Sequence, residues 1–112
     1  METKNDVIQL NDDSNIEDIL NESKTYNLLY FTATWCGPCK RISPIIYNKF
    51  TKINNLQIYK IDIDENDKLC EKYNINSVPT FILIHNNEIK MTYNGSDSVQ
   101  LLKNIKDIFD NN

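Results

Sequence analysis

Hydrophobic positions along the first half of the chain alternate between strand-like and helix-like spacing. Residues 7–10 predict a short first strand, and apolar positions at helical spacing between residues 16 and 20 predict a first helix. Residues 28–33 are apolar at nearly every position, as expected of a central strand buried on both faces. A helical pattern runs from about residue 37 to 50, and residues 56–64 alternate again as a third strand.

Polar residues mark the expected starts of three helices. Ser14 and Glu17 fit a capping box before the first helix, and Asp64 or Asn66 is expected to cap a short helix over residues 68–73. Ser96 is expected to cap the last helix. The apolar face of that helix is predicted to comprise Val99, Leu102, Ile105, Ile108 and Phe109.

The second half of the chain contains a hairpin signal. Strands are predicted over residues 80–84 and 88–93, and the Asn86-Asn87 pair between them favours a two-residue antiparallel turn. The resulting order β-α-β-α-β-α-β-β-α indicates the α/β class. Its alternating part requires parallel strands with right-handed crossovers, and the hairpin adds antiparallel strands at one edge of a mixed sheet with helices on both faces.

Composition and charge exclude several classes of protein. A chain of 112 residues, with 40% hydrophobic and 25% charged residues, is expected to form a single domain over residues 1–112. The net charge is −4 without a basic stripe, so no nucleic-acid binding is expected. No apolar stretch approaches a membrane span, and the acidic N-terminus carries no targeting signal. We therefore expect a cytoplasmic protein, although an organellar protein trimmed of its presequence would look the same.

The motif with the clearest chemistry is Trp35-Cys36-Gly37-Pro38-Cys39, at the predicted junction of the second strand and second helix. A dithiol that reduces disulfides needs two neighbouring thiols, one of them ionised, because the thiolate is the nucleophile. A helix N-terminus next to Cys36 would stabilise its thiolate. We therefore expect Cys36 to attack a substrate disulfide and Cys39 to resolve the mixed disulfide.

The three cysteines could serve other purposes. A C-x-x-C pair can be half of a zinc site, but the remaining candidate ligands are only Cys70 and His85. A structural disulfide is less expected in a chain without a secretion signal. Cys70, on the predicted third helix, is expected to be a small buried apolar residue, with a regulatory thiol as the alternative.

With its wider context, the motif resembles the thioredoxin family. The matching positions are Trp35 to Lys40, Pro44, Lys60, Val78-Pro79-Thr80 and Gly95, and they span nearly the whole chain. The resemblance implies a thioredoxin fold, with a central mixed five-stranded sheet flanked by four helices. It also implies a monomeric oxidoreductase that reduces disulfide-containing proteins, takes part in electron transport and cell redox homeostasis, and is recycled by a thioredoxin reductase. No cofactor beyond a Cys36–Cys39 disulfide, and no metal, is implied.

The same resemblance implies the roles of the residues around the dithiol. Trp35 would shield the dithiol, and a cis bond before Pro79 would place the Val78 backbone beside it. The implied substrate-binding residues are Trp35, Gly37, Pro38, Val78, Pro79 and Gly95. The plainer alternatives are that Pro79 only starts a strand and that Gly95 is an ordinary turn glycine.

Three positions depart from the family pattern: Tyr30, Thr32 in place of the usual second Trp, and Asn87 in place of a turn Gly. Thioredoxins usually carry a buried Asp six residues before the first cysteine, where this chain has Tyr30. Tyr30 and Lys60, which matches the lysine that pairs with that Asp, are therefore candidate pKa-tuning residues. The stretch from Tyr30 to Cys39 is similar to plant o-type thioredoxins, which share the tyrosine. The tyrosine therefore does not argue against disulfide reduction, but it leaves open which group accepts the proton of Cys39.

Two other functions are compatible with the motif. An oxidase or isomerase of the secretory pathway would use the same cysteines, but Gly37-Pro38 between them is typical of reducing thioredoxins. A binding subunit would use the apolar rim around Trp35 as a docking site without using the thiols.

Overall fold

The elements follow the order that the sequence predicts, in a computed structural model that describes residues 6–111. The strands are β1 (Val7–Leu10), β2 (Tyr26–Thr32), β3 (Leu56–Asp62), β4 (Thr80–His85) and β5 (Glu88–Asn94). The α-helices are α1 (Ile16–Glu22), α2 (Gly37–Asn48), α3 (Asp67–Lys72) and α4 (Ser98–Asp110), with 3-10 turns at Phe50–Lys52 and Ile63–Glu65. The first five residues, for which the sequence predicts no targeting role, and Asn112 lie outside this description, so a single domain over residues 1–112 stays a prediction.

The five strands form one mixed sheet in the order β1-β3-β2-β4-β5. β1, β3 and β2 are parallel, whereas β4 runs antiparallel to β2 and β5 antiparallel to β4. All seven residues of β2 are buried, as expected of a central strand covered on both faces. The C-terminal ends of β2 and β3 therefore lie side by side, with Tyr30 opposite Lys60 and Thr32 opposite Asp62.

Helices cover both faces of the sheet, as predicted for a thioredoxin fold. The core on one face includes Ile42 and Ile46 of α2 and Leu101 and Ile105 of α4, and the core on the other includes Ile16 and Leu20 of α1 and Leu69 of α3. Burying each such aliphatic side chain contributes about 1.5–3 kcal/mol relative to exposure. The first of these cores packs α2 against the sheet, which positions its N-terminus at the C-terminal end of β2.

The structure corrects the predicted helix caps and the face of α4. Asn15, not Ser14, caps α1, because its side chain accepts a hydrogen bond from the Asp18 N–H. Asp97, not Ser96, caps α4, accepting from the N–H groups of Val99 and Gln100. Adjacent Ser, Asn and Asp residues all cap well, so the choice between neighbours depends on the path of the incoming chain. Val99 is 76% exposed, and the face of α4 that packs on the sheet includes Leu101 instead.

Several element boundaries also differ from the predictions. β2 begins at Tyr26 and ends at Thr32, and β3 ends at Asp62 rather than Asp64. The chain leaves β3 there because the Asp62 side chain accepts from the Asp64 N–H and turns the backbone into a 3-10 helix. α3 is capped by Asn66, one of the two predicted positions.

The hairpin turn between β4 and β5 confirms its sequence signal. Asn86 and Asn87 both have positive φ angles, 53° and 64°, the conformation that a tight two-residue hairpin turn requires.

None of the helices within residues 6–111 is long and apolar enough to cross a membrane.

Candidate active site

Cys36 and Cys39 are joined by a disulfide at the junction of β2 and α2. Cys36 is the N-cap of α2, Gly37 is the first helical residue, and Pro38 lies in the first turn, where a missing N–H costs little. The Cys36 sulfur accepts a hydrogen bond of 3.2 Å from the Cys39 N–H. Unpaired N–H groups at a helix start attract negative charge, so the same position stabilises a Cys36 thiolate when the bond is reduced.

The disulfide lies in an apolar setting beyond the C-terminal end of the central strand β2. Cys36 is 4% exposed and Cys39 is 2% exposed, and both pack with Ala33, Ile63 and Val78. The Cys36 sulfur lies 3.7 Å from the carbonyl oxygen of Val78. The Cys36 sulfur is therefore adjacent to the backbone of the loop that precedes β4.

A distant loop completes this side of the site. The Val78–Pro79 peptide bond is cis, which confirms the interpretation of Pro79 over a plain strand start. The carbonyl oxygen of Pro79 accepts a hydrogen bond of 3.1 Å from the Gly95 N–H. Gly95 has a φ of 148°, a region that only glycine adopts without strain, as a substrate-binding glycine and an ordinary turn glycine both could. The structure thus brings Val78, Pro79 and Gly95 to the disulfide from more than forty residues away.

Trp35 forms the exposed border of the site. It is 64% exposed, and its indole Nε1 donates a hydrogen bond of 2.9 Å to Oδ2 of Asp64. Beside it lies a groove of about 430 Å³ that we call the Trp35 groove, lined by Trp35, Ile63, Cys70, Ile75, Asn76, Ser77 and Val78. An exposed aromatic ring next to an apolar groove is typical of a surface that contacts another protein.

A second opening lies behind the disulfide, on the α2 face of the sheet. This Cys39 cleft has a volume of about 280 Å³ and is lined by Tyr30, Thr32, Ala33, Thr34, Cys39, Lys40, Ser43, Lys60 and Asp62. The structure therefore brings both candidate pKa-tuning residues, Tyr30 and Lys60, to the buried cysteine.

The Tyr30 side chain lines this cleft, held in place by its contacts and uncharged. Its ring stacks on Phe81 with centroids 4.9 Å apart, and its hydroxyl donates a 3.4 Å hydrogen bond to the Cys39 carbonyl oxygen. Burial is the main cause that raises the pKa of the Tyr30 phenol, outweighing hydrogen bonds that involve Thr32 and Ser43. Tyr30 therefore stays protonated under ordinary conditions.

Cys70 is the one free thiol of the chain and lines the Trp35 groove. It is half-buried, and its sulfur lies 3.9 Å from the Ile63 carbonyl oxygen. Burial and the nearby carboxylates of Asp67, Asp12, Asp62 and Asp64 raise the pKa of the Cys70 thiol. This setting fits a small, mainly apolar groove residue better than a reactive thiol.

His85, the other candidate zinc ligand, is the last residue of β4. His85 stacks on Tyr26 with ring centroids 3.9 Å apart, at the end of the sheet away from the dithiol. Within residues 6–111, no group of three or more metal-ligating side chains converges.

Sequence reasoning missed two carboxylates of the site. The sequence marks Asp64 only as a helix cap, and Asp62 only as part of an alternating strand. A signal for Asp62 exists, because strand alternation places it on the same face as Lys60. The contact of Asp64 with Trp35 has no local signal, since 29 residues separate the two.

Comparison with known proteins agrees with this geometry. The family model "Thioredoxin" matches residues 6–107. Thioredoxin from Buchnera aphidicola is 38% identical over 104 residues, 92% of this chain and 95% of that protein. Thioredoxin H3 from Arabidopsis thaliana is 35% identical over 86 residues, 77% of this chain and 73% of that protein.

Solved structures support the same assignment. The crystal structure of Schistosoma mansoni thioredoxin matches with a TM-score of 0.82 at 33% identity, covering 90% of this chain and 94% of that one. With a matching family model, the same sheet and a disulfide-bonded Cys36–Cys39 pair at the head of α2, the chain belongs to the thioredoxin family and is a thiol-disulfide oxidoreductase.

Proposed function

We propose that this protein reduces disulfides in other proteins, with Cys36 as the nucleophile and Cys39 as the resolving thiol. The observation that carries the proposal is the difference between the two sulfurs. Cys36 caps α2 and lies 3.7 Å from the Val78 carbonyl oxygen, whereas Cys39 lies inside the first turn of α2 and lines the cleft behind the disulfide. The sulfur at the helix start is therefore the one whose thiolate the helix stabilises and the one that lies beside the Val78 backbone.

The reaction proceeds as two exchanges. The Cys36 thiolate attacks one sulfur of the substrate disulfide, forms a mixed disulfide and expels the other substrate sulfur as a thiolate. Cys39 then attacks the Cys36 sulfur, which forms the Cys36–Cys39 bond and releases the second substrate thiol. The substrate gains two electrons, and the dithiol becomes the disulfide present in the structure. Thioredoxins need no cofactor beyond this redox-active pair.

Substrates are proposed to dock on the surface formed by Trp35, Gly37, Pro38, Val78, Pro79 and Gly95. Its support is that the Val78 carbonyl oxygen lies 3.7 Å from the Cys36 sulfur and that the Pro79–Gly95 hydrogen bond holds this backbone segment in place. An extended substrate chain can pair with such a segment as a short added strand. The Trp35 groove would then receive an apolar side chain next to the substrate cysteine.

A thioredoxin reductase is the proposed source of electrons. The support is a relative named "Bifunctional thioredoxin reductase/thioredoxin" from Mycobacterium leprae, 31% identical over 93% of this chain and 23% of that protein. We further propose a monomeric, cytoplasmic redox carrier in electron transport and cell redox homeostasis, without nucleic-acid or membrane partners.

An insulin-reduction assay tests the proposal. With dithiothreitol as donor, the wild type should reduce insulin disulfides and Cys36→Ser should have no activity above background, because the nucleophile is gone. Cys39→Ser should instead accumulate mixed disulfides that survive on non-reducing denaturing gels. Normal turnover by Cys36→Ser, or no adducts with Cys39→Ser, would contradict the assigned roles.

The donor and the direction of electron flow need separate measurements. NADPH consumption with an added thioredoxin reductase should depend on this protein and on insulin. A redox titration should give a potential near the roughly −270 mV of a reducing thioredoxin, rather than the roughly −120 mV of an oxidant. A pull-down with the Cys36→Ser/Cys39→Ser double variant tests the binding-subunit alternative, since a scaffold would retain its partners without the thiols.

A further inference from the structure

The Cys39 cleft brings a carboxylate to the thiol that must lose its proton during resolution. Asp62, the last residue of β3, lines the cleft together with Cys39. It lies opposite Thr32 in the β2–β3 register, and strand alternation places it on the same face as Lys60. This is the face covered by α2, the helix that carries Cys39.

We propose that Asp62 accepts the proton of the Cys39 thiol in the resolving step, through water in the Cys39 cleft. The proposal rests on the proposed function, because a resolving step exists only if Cys36 first forms a mixed disulfide. A cleft of about 280 Å³ has room for several water molecules, since each takes roughly 30 Å³ in the liquid. A proton can therefore pass from a thiol that is nearly closed off from bulk solvent to a carboxylate at the cleft wall.

The other titratable residues of the cleft are poor acceptors. Lys40 of α2 and Lys60 of β3 are cations with no free electron pair while protonated. Tyr30 of β2 is a neutral phenol whose hydroxyl already donates to the Cys39 carbonyl oxygen. Among the described residues that line the cleft, Asp62 alone carries a carboxylate.

Local hydrogen bonds hold Asp62 in place. Its Oδ1 accepts from the Asp64 N–H at 2.9 Å, and its carbonyl oxygen accepts from Asn66 Nδ2 at 2.8 Å. A carboxylate has two oxygens, so the first bond orients the group and Oδ2 can accept from water. Asp62 is half-buried and lines the cleft, so its carboxylate is within reach of water there.

The step balances in atoms and electrons. The mixed disulfide begins with Cys36 bonded to a substrate sulfur and with Cys39 as a thiol. The Cys39 proton moves through water to Asp62, and the sulfur lone pair attacks the Cys36 sulfur. The Cys36–substrate bond breaks, and the substrate leaves as a thiolate that takes a proton from solvent. Asp62 returns its proton to solvent before the next cycle.

Stopped-flow reaction of the reduced protein with stoichiometric dithiobis(nitrobenzoate) separates the two exchanges. The first coloured thionitrobenzoate is released when Cys36 attacks and the second when Cys39 resolves, and only the first rate depends on reagent concentration. All variants carry Cys70→Ala, so that no third thiol contributes. Asp62→Asn keeps an oxygen that can cap the Asp64 N–H, and Asp67→Asn is the matched control because it removes an equal charge outside the cleft.

We expect Asp62→Asn to slow the second phase at neutral pH by at least about tenfold, a lower bound set below the roughly 10²–10⁴-fold typical of general acid–base catalysis. The first phase should change less than about twofold, since Cys36 needs no proton acceptor once it is a thiolate. Added formate, a small carboxylate that fits the cleft, should restore the second phase in Asp62→Asn and have no effect on Asp67→Asn.

Three results would overturn the proposal. The first is an unchanged second phase in Asp62→Asn, and the second is an equal slowing of that phase in Asp67→Asn. The third is the loss of both phases in an Asp62→Asn protein whose circular dichroism shows an intact fold. If Asp62→Asn does not fold, Asp62→Ser supplies another capping oxygen without a carboxylate and receives the same measurement. Failure of the proposed function is distinct, because the parent protein would then fail to reduce insulin whatever the two phases with dithiobis(nitrobenzoate) show.

Discussion

The indole Nε1 of Trp35 donates a 2.9 Å hydrogen bond to Oδ2 of Asp64. This bond joins the residue before Cys36 to the 3-10 turn that follows β3. An exposed tryptophan would otherwise sample several rotamers, so the bond fixes the ring at the border of the Trp35 groove.

Asp64→Ala should therefore free the indole and weaken substrate docking. A hydrogen bond of this kind contributes about 0.5–1.5 kcal/mol, so the KM for insulin should rise by up to roughly tenfold. Trp35 is the single tryptophan of the chain, and its fluorescence anisotropy should fall in the variant.

Asp64→Asn is the matched control for this prediction. The amide oxygen of the introduced side chain can still accept from the indole, so both KM and anisotropy should stay near the wild-type values. If the Asn and Ala variants behave alike, charge at residue 64 and not the hydrogen bond is what matters.

Gly95→Ala should destabilise the fold. Its φ of 148° is strained for any other residue, and an added Cβ would lie 2.9 Å from the Tyr93 hydroxyl oxygen. That hydroxyl accepts a hydrogen bond from the Asp97 N–H at the start of α4, so Tyr93 cannot move away freely. We expect a loss of about 1–3 kcal/mol in the free energy of unfolding by urea denaturation.

Gly37, the other glycine of the chain, is the control for this measurement. A Cβ on Gly37 would meet only Arg41, at 3.8 Å, in the first turn of α2. Gly37→Ala should leave the free energy of unfolding unchanged or slightly higher, because Ala favours helix. Equal losses in the two variants would show that backbone conformation at Gly95 is not the cause.

Cys70 should alkylate slowly at neutral pH. Burial, and then the charges of Asp67, Asp12, Asp62 and Asp64, raise the pKa of its thiol, so the reactive thiolate forms only at higher pH than in a free cysteine. In the oxidised protein Cys36 and Cys39 are protected, and the pH profile of iodoacetamide labelling reports Cys70 alone.

The midpoint of that profile should lie above that of N-acetylcysteine measured in parallel. Asp67→Asn should move it toward lower pH, because one repelling charge is removed. A wild-type midpoint at or below the reference would mean that Cys70 is an activated thiol, in line with the regulatory alternative.

The order of elements and the redox-active cysteine pair were predictable because their signals are local. Strand and helix periods, the Asn86-Asn87 turn and the C-x-x-C spacing each lie within a few residues, and the structure confirms them. The helix caps were less predictable, because Ser14 and Asn15 compete, as do Ser96 and Asp97, with nearly equal propensity. The outward position of Val99 has a similar cause, since the pattern of α4 fits more than one face until the sheet is in place.

The sequence by itself determined the α/β order and the chemistry of the Cys36–Cys39 pair, because both depend on residue types and spacings within short segments. Only the tertiary structure decided what surrounds that pair. Trp35 meets Asp64, and Cys39 shares a cleft with Asp62, through the pairing of β2 with β3. Such contacts follow from strand register and helix packing, which bring together residues that no local pattern connects.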